Sequence, residues 1–188
     1  MQFLTPGEKS NIKGRPYRLA IILAIILFLV IAPEVQEGNS MDPAVKDGQV
    51  LLANKFARYS AKRKAPERDT IVIIDKKVSL DAGADDNIIT RVIAVPGDTV
   101  EIKGGKVFVN NKEYTTRNGE YGATGKFKKR KLKGNQVFVL SDNRESAKFE
   151  KLDSRNPDLG LVDMRKIRGN AVMRIWPLSE FTFNMSDK

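Results

Sequence analysis

Three separated stretches of this chain hold residues able to do chemistry. Gly38-Asn39-Ser40-Met41-Asp42-Pro43 offers a hydroxyl in a turn, and Thr90-Arg91-Val92-Ile93-Ala94-Val95-Pro96-Gly97-Asp98 joins an apolar run to a Pro-Gly-Asp turn. Leu140-Ser141-Asp142-Asn143-Arg144 is followed by Asp153-Ser154-Arg155 and Gly160. What is missing narrows the chemistry. The 188 residues contain no His and no Cys, which excludes Ser-His-Asp and Cys-His nucleophile systems, two-histidine zinc helices, imidazole proton shuttles, disulfides and thiolate ligands. Any general base is therefore a carboxylate, a lysine or a tyrosine, and no metal or cofactor is expected. Singly, each stretch is also what an ordinary surface turn looks like.

The elements that must position these residues fall into two parts. Leu19 to Ala32 is a run of fourteen apolar residues, preceded by Lys9, Lys13, Arg15 and Arg18 and followed by Pro33 and Glu34. The run is apolar all round, Tyr17 and a snorkelling Arg18 suit one interface, and Val35 extends the other end. It predicts an uncleaved anchor over 19–35. Alternatives are a secretory signal, whose Val30-Ile31-Ala32 site is weak and obstructed by Pro33, and a buried helix. Basic flanking residues place the tail 1–18 in the cytoplasm and 36–188 outside it, a single-pass protein of the cell membrane.

After the anchor the pattern is β. Val50–Leu52, Ile71–Ile74, Ile88–Val95, Val100–Ile102, Lys106–Val109, Val137–Leu140 and Ala171–Ile175 read as strands. Turns are marked at Asp47-Gly48, Pro96-Gly97-Asp98, Gly104-Gly105, Asn110-Asn111 and Asn118-Gly119. The net charge of +10 is concentrated in Lys55–Arg68 and in Lys126–Lys133, the latter with six cations and no acid. Few aromatics are interleaved with them, which argues against nucleic acid. Anionic headgroups or wall polymers are the better partner for a domain tethered at a bilayer, and a solvated loop is the plainer reading.

In this order, after an anchor, the three motifs resemble the type I signal peptidases, in the short Gram-positive form with one N-terminal anchor. The resemblance covers nearly the whole chain and implies a mainly β, antiparallel fold carrying a Ser/Lys dyad. Ser40 falls on the nucleophile, with its own N–H in the oxyanion hole, Gly38 assisting, and Met41 and Pro43 shaping the turn. Arg91, Asp142, Asn143, Arg144, Asp153, Ser154 and Arg155 fall on architectural positions. The resemblance implies an Asp142–Arg155 pair and a Ser154 contact to the lysine.

The departure is Thr90, which stands where the family has its general-base lysine. A threonine hydroxyl cannot take a proton at neutral pH. Other departures agree with it: Arg68-Asp69-Thr70 where Arg-Gly-Asp is usual, Ser141 in place of a glycine, and a lengthened segment between Arg144 and Asp153. The principal reading is a catalytically impaired member that binds an extended segment of an exported or envelope protein, with divergent members of pilus assembly as the precedent. Ser40 lies eight residues past Ala32, which keeps it within about 26 Å of the membrane boundary at about 3.3 Å per residue. The segments Asn87–Ile89 and Val35–Asn39 would flank the cleft, with Ile88 and Ile89 as apolar walls or as core. The alternative is an active signal peptidase that uses Ser40 and a replacement base, Lys148 or Lys151. A self-cleaving repressor of the same Ser/Lys fold would need an N-terminal helix-turn-helix where this chain has an apolar run.

Overall fold

The computed structural model describes residues 15–56, 64–75, 87–115, 125–144, 153–157, 159–183 and 185. Helix α1 (Arg15–Val30) leads directly into strand β1 (Ile31–Val35). Its 16 residues rise about 24 Å at about 1.5 Å each, short of the about 30 Å of bilayer hydrocarbon. Among the described residues no helix is long and apolar enough to cross a membrane. The helix nonetheless leaves Leu19, Ile21, Ile22, Leu23 and Ile25 all more than half exposed.

The expected span 19–35 thus divides at residue 30. Ile31 to Val35 pairs antiparallel with β2 (Val50–Asn54) along its whole length, from Ile31↔Asn54 to Val35↔Val50. Pro33 explains the division. It cannot supply the N–H that a continuing helix needs, whereas an edge strand tolerates it. Lys55 donates its N–H to the Val30 carbonyl at 2.7 Å, which satisfies an acceptor at the helix end.

The larger sheet runs β1-β2-β11-β3-β4-β9-β10, with β12 (Thr182–Phe183) alongside β11 (Ile167–Trp176). Here β3 is Ile71–Ile74, β4 Ile88–Ala94, β9 Gln136–Leu140 and β10 Val162–Asp163. Every residue of β3 and β4 is buried, as continuous Val/Ile runs require when both faces are covered. One face packs Met41, Val45, Leu51, Ile73 and Ile89 together, and the other packs Val72, Ile88, Val92, Val139 and Val162. A second sheet, β7-β6-β5-β8, leaves from the end of β4 and comprises β5 (Thr99–Lys103), β6 (Lys106–Val109), β7 (Lys112–Glu113) and β8 (Phe127–Lys131). The expected turn at the asparagine pair joins β6 to β7 as a hairpin, with φ of 54° at Asn110 and 66° at Asn111, the left-handed geometry of a two-residue turn. The Asn118-Gly119 turn lies outside the described residues.

Gly169 shows how closely the central strands approach. A Cβ there would lie 2.7 Å from the backbone oxygen of Asn54 and 3.1 Å from its carbonyl carbon. Those atoms belong to β2 and cannot move without disturbing the ladder. Gly169→Ala is expected to lower the unfolding free energy by about 1–3 kcal/mol, read as a lower urea midpoint at unchanged m-value.

Candidate functional site

Ser40 sits in the loop between β1 and β2, buried, with Gly38 two residues before it in the left-handed region at φ +69°. The loop is closed on itself: Gly38 donates its N–H to Asp47 Oδ1 at 2.7 Å, Gly48 donates to the Gln36 carbonyl at 2.9 Å, and Val45 donates to the Met41 carbonyl at 2.9 Å. Met41 is a fully buried core residue that anchors the turn from below. The peptide bond from Asp42 to Pro43 is cis.

The last motif grips this loop. Asn143 donates its N–H to the Ser40 carbonyl at 2.9 Å and its Nδ2 to the Asn39 carbonyl at 3.0 Å. The adjacent Asp142 takes a fork from Arg91 of β4, Nε to Oδ1 at 2.7 Å and Nη2 to Oδ2 at 2.6 Å. Burial works most strongly against the Arg91 charge, but the bonds it donates to Asp142 and the charges of Asp142 and Asp69 together outweigh it, raising the guanidinium above its ordinary value. The three sequence motifs are therefore joined in space by a chain of bonds from Arg91 through Asp142 and Asn143 to Ser40.

The pairing of the last motif differs from expectation. Arg155 folds onto Asp153, Nη2 to Oδ2 at 2.7 Å, while Asp142 is taken by Arg91. Asp153 also accepts the Ser141 N–H at 3.1 Å, and two residues of separation let Arg155 reach it without crossing the site. Ser154 uses its Oγ to accept the Val139 N–H at 3.0 Å, which ties the motif to β9. Arg144 is buried and donates Nε to the Ser141 carbonyl at 3.1 Å. Burial, together with the charge of Arg155, lowers its pKa.

Thr90 is fully buried in β4 opposite Val72, and its Oγ1 has no hydrogen-bond partner among the described residues. Ser40 Oγ instead accepts from Gln36 Nε2 at 3.2 Å. That same amide donates to the carbonyls of Glu37 and Gly38, each at 3.0 Å. Gln36 was not singled out in the sequence. The available signal was weak, a glutamine directly after Val35 and four residues before the serine. An amide donor holds the serine oxygen but cannot accept its proton.

Several other candidate bases are occupied, whereas Asp42, two residues from Ser40, has a buried Oδ1 with no hydrogen-bond partner among the described residues. Asp142 and Asp153 are each clamped by a guanidinium, and the Tyr114 hydroxyl donates to Asp69 Oδ1. Burial first, and then Asp69, push the Tyr114 pKa up, so it stays protonated. Lys148 and Lys151 lie outside the described residues. Asp69 itself explains one sequence departure. It adopts φ +68°, a conformation that favours glycine and that aspartate tolerates better than most residues, and its carbonyl accepts Arg91 Nη1 at 2.7 Å.

Ile88 and Ile89 are buried in opposite core clusters and do not wall an open cleft. The backbone beside them is more informative. Ile88 to Arg91 pairs with β3, while pairing with β9 begins only at Arg91↔Leu140. Among the described residues, Ile88–Thr90 therefore has a strand on one side only. Pro96, Gly97 and Asp98 lie at the opposite end of β4, where Asp98 binds Arg68, the Val95 N–H and Asn110. Burial opposes the Asp98 charge, but these partners hold its pKa below the ordinary value. This turn is architecture remote from Ser40.

The family model described as signal peptidase, peptidase S26, matches residues 15–176. The chain belongs to the signal peptidase family. It is 34% identical to a signal peptidase I of Bacillus licheniformis over 94% of this chain and 97% of that one. It is 35% identical to signal peptidase I P of Bacillus subtilis subsp. natto over 85% and 87% of the two chains. With signal peptidase IB of Staphylococcus aureus strain MRSA252 it shares 34% identity over 88% of each. A crystallised signal peptidase I of Enterococcus faecalis V583 is 23% identical, with a TM-score of 0.40 over 57% of this chain and 97% of the other. In this signal peptidase family chain the serine turn and its bonding to Asn143 are both present, and position 90 carries a hydroxyl with no amine.

Proposed function

We propose that the chain binds the signal peptides of exported proteins beside Ser40 at the outer face of the cell membrane, and that it hydrolyses them far more slowly than its lysine-bearing relatives. Family membership supplies the substrate class and the membrane setting. The exposed apolar run of α1 from Leu19 onward supports insertion of the N-terminus, with residues 36–188 outside. The strand-free flank of Ile88–Thr90 supports docking of an extended peptide by strand addition, through backbone bonds that need no particular side chain. The observation that carries the slow chemistry is the surroundings of Ser40: its oxygen accepts from Gln36, and Thr90, at the family's lysine position, is buried without a partner among the described residues. No described residue bears on a role in pilus assembly.

An active peptidase is the second reading. Full-length similarity to signal peptidases I favours it, as does the retained Ser40 turn with Gly38, Met41 and Pro43. Its base would come from outside the described residues, with Lys148 and Lys151 as the candidates.

Binding of a fluorescent synthetic signal peptide to full-length protein in detergent micelles tests the docking. Ser40→Ala is expected to bind within about twofold of wild type, and Gly38→Leu at least about tenfold more weakly, about 1.4 kcal/mol. The strain of a branched side chain at φ +69° would rebuild the loop. Equal binding by Gly38→Leu, or no binding by wild type, would remove the proposal.

A further inference from the structure

Strand β8 carries an unusual concentration of charge. Lys126, Lys128, Lys129, Arg130, Lys131 and Lys133 are all exposed, with no acid between them. Elsewhere several described cations are matched, Lys46 with Glu180, Arg68 with Asp98, Lys106 with Glu113 and Arg165 with Asp163, and no other described stretch sets so many side by side. None of the six makes an ion pair among the described residues. Lys129 bonds only the neutral Asn111 side chain at 2.7 Å, and Arg130 lies 5.8 Å from the Phe127 ring. Of the acids on the same sheet, Glu113 is taken by Lys106, and Glu101 forms no ion pair among the described residues. The run is held rigid, because Phe127 packs edge-on against the core Phe138 at 4.7 Å and β8 is bonded to β5 along one side.

Lysines on an edge strand also deter strand-to-strand aggregation. One or two charges serve that end. Four consecutive cations on a fixed extended backbone repel one another, a standing cost that a multivalent anion relieves. Away from the irregularity between Phe127 and Arg130, alternate residues of a strand lie about 6.7 Å apart on each face, a repeat comparable to that of successive phosphates along an extended phosphodiester chain. Lysine and arginine both bind phosphate through charge-assisted hydrogen bonds.

We propose that β8 is a docking strip for a phosphodiester polyanion outside the membrane. The inference rests on the extracytoplasmic placement argued above and not on the Ser40 site, so its failure leaves peptide binding untouched. The topology favours a polymer over the bilayer surface. β8 belongs to the sheet that leaves from β4, and β4 is four strand positions from β1, the strand joined to α1. Across a sheet that is about 19 Å at about 4.8 Å per strand, roughly two Debye lengths at physiological salt. Headgroups near α1 are screened from β8 at that range, whereas a flexible polymer reaches it.

The test uses full-length protein in nanodiscs of neutral phosphatidylcholine and fluorescent poly(glycerol phosphate) as probe. Neutralising about four phosphates gives a salt slope near −2.8, so affinity is expected to fall about fifty-fold between about 50 and 200 mM salt. The variant Lys128→Gln/Lys129→Gln/Arg130→Gln/Lys131→Gln should bind at least about tenfold more weakly at the lower salt. A variant of equal charge, Lys46→Gln/Lys55→Gln/Lys64→Gln/Arg165→Gln, should bind close to wild type. Undiminished binding by the β8 variant overturns the proposal, and so does equal loss in both variants, which would make net charge the cause. Competition by phosphatidylglycerol vesicles at matched phosphate would reassign the strip to lipid.

Discussion

Full-length protein in detergent micelles is expected to cleave a signal-peptide substrate on the order of 10⁶-fold more slowly than a signal peptidase with lysine at the position of Thr90, about 8 kcal/mol of barrier. The expectation follows from where the serine proton has to go. In the resting site Ser40 Oγ accepts a bond from the Gln36 amide, and Asp142 and Asp153 are engaged by Arg91 and Arg155. Thr90→Lys is expected to restore only part of the rate. A lysine becomes a base near neutrality only if burial lowers its pKa by about 3 units or more, and the amide still occupies the serine oxygen. Thr90→Lys with Gln36→Leu should therefore exceed Thr90→Lys alone, and its activity should rise with pH as the introduced amine loses its proton. Turnover by the unmodified protein close to that of an active relative, and lost in Ser40→Ala, would refute the expectation. Loss of that turnover in Lys148→Ala/Lys151→Ala would then identify the base.

The parts of the fold legible in the sequence are those in which side-chain pattern and backbone demand agree. Ile71–Ile74 and Lys106–Val109 are strands at the residues read from Val/Ile runs and turn signals. Strands whose residues deny their burial were missed. Phe127–Lys131 has four cations in five residues, and only its pairing with Thr99, Val100 and Ile102 makes it a strand. Ile31–Val35 was absorbed into the apolar run because apolar content alone does not separate a helix from an edge strand, and Pro33 was the unused clue. At the site, Ser40, Thr90, Arg91 and Asp142 were found through motif order. Their partners depended on which guanidinium reaches which carboxylate, a matter of strand register. Gln36 acts through a fold of the loop that places residues 36 and 40 in contact, and no spacing rule announces it.

Asp142→Ala is expected to lower the unfolding free energy by about 3–5 kcal/mol, because it strands the buried Arg91 guanidinium without its carboxylate. The side chains of Arg91 and Asp142 are 5% and 2% exposed, too little for water to replace the lost partner. For a chain of this size that corresponds to roughly 10 °C in Tm. The Asp69 carbonyl retains one bond to Arg91 but carries no full charge, so it offsets only a small part. Removing both charges should cost much less, since Arg91→Met/Asp142→Leu trades a desolvated pair for apolar packing. A double-mutant cycle in urea would show that difference as coupling between the two sites. Function should follow the same order, because Asp142 fixes the backbone from which Asn143 holds the carbonyls of Asn39 and Ser40. Asp142→Ala should thus weaken signal-peptide binding as well as stability, whereas Gly169→Ala should weaken stability alone. A Tm for Asp142→Ala within about 2 °C of wild type, less than about 1 kcal/mol, would mean that the pair contributes little and that the Ser40 loop is held by its own bonds.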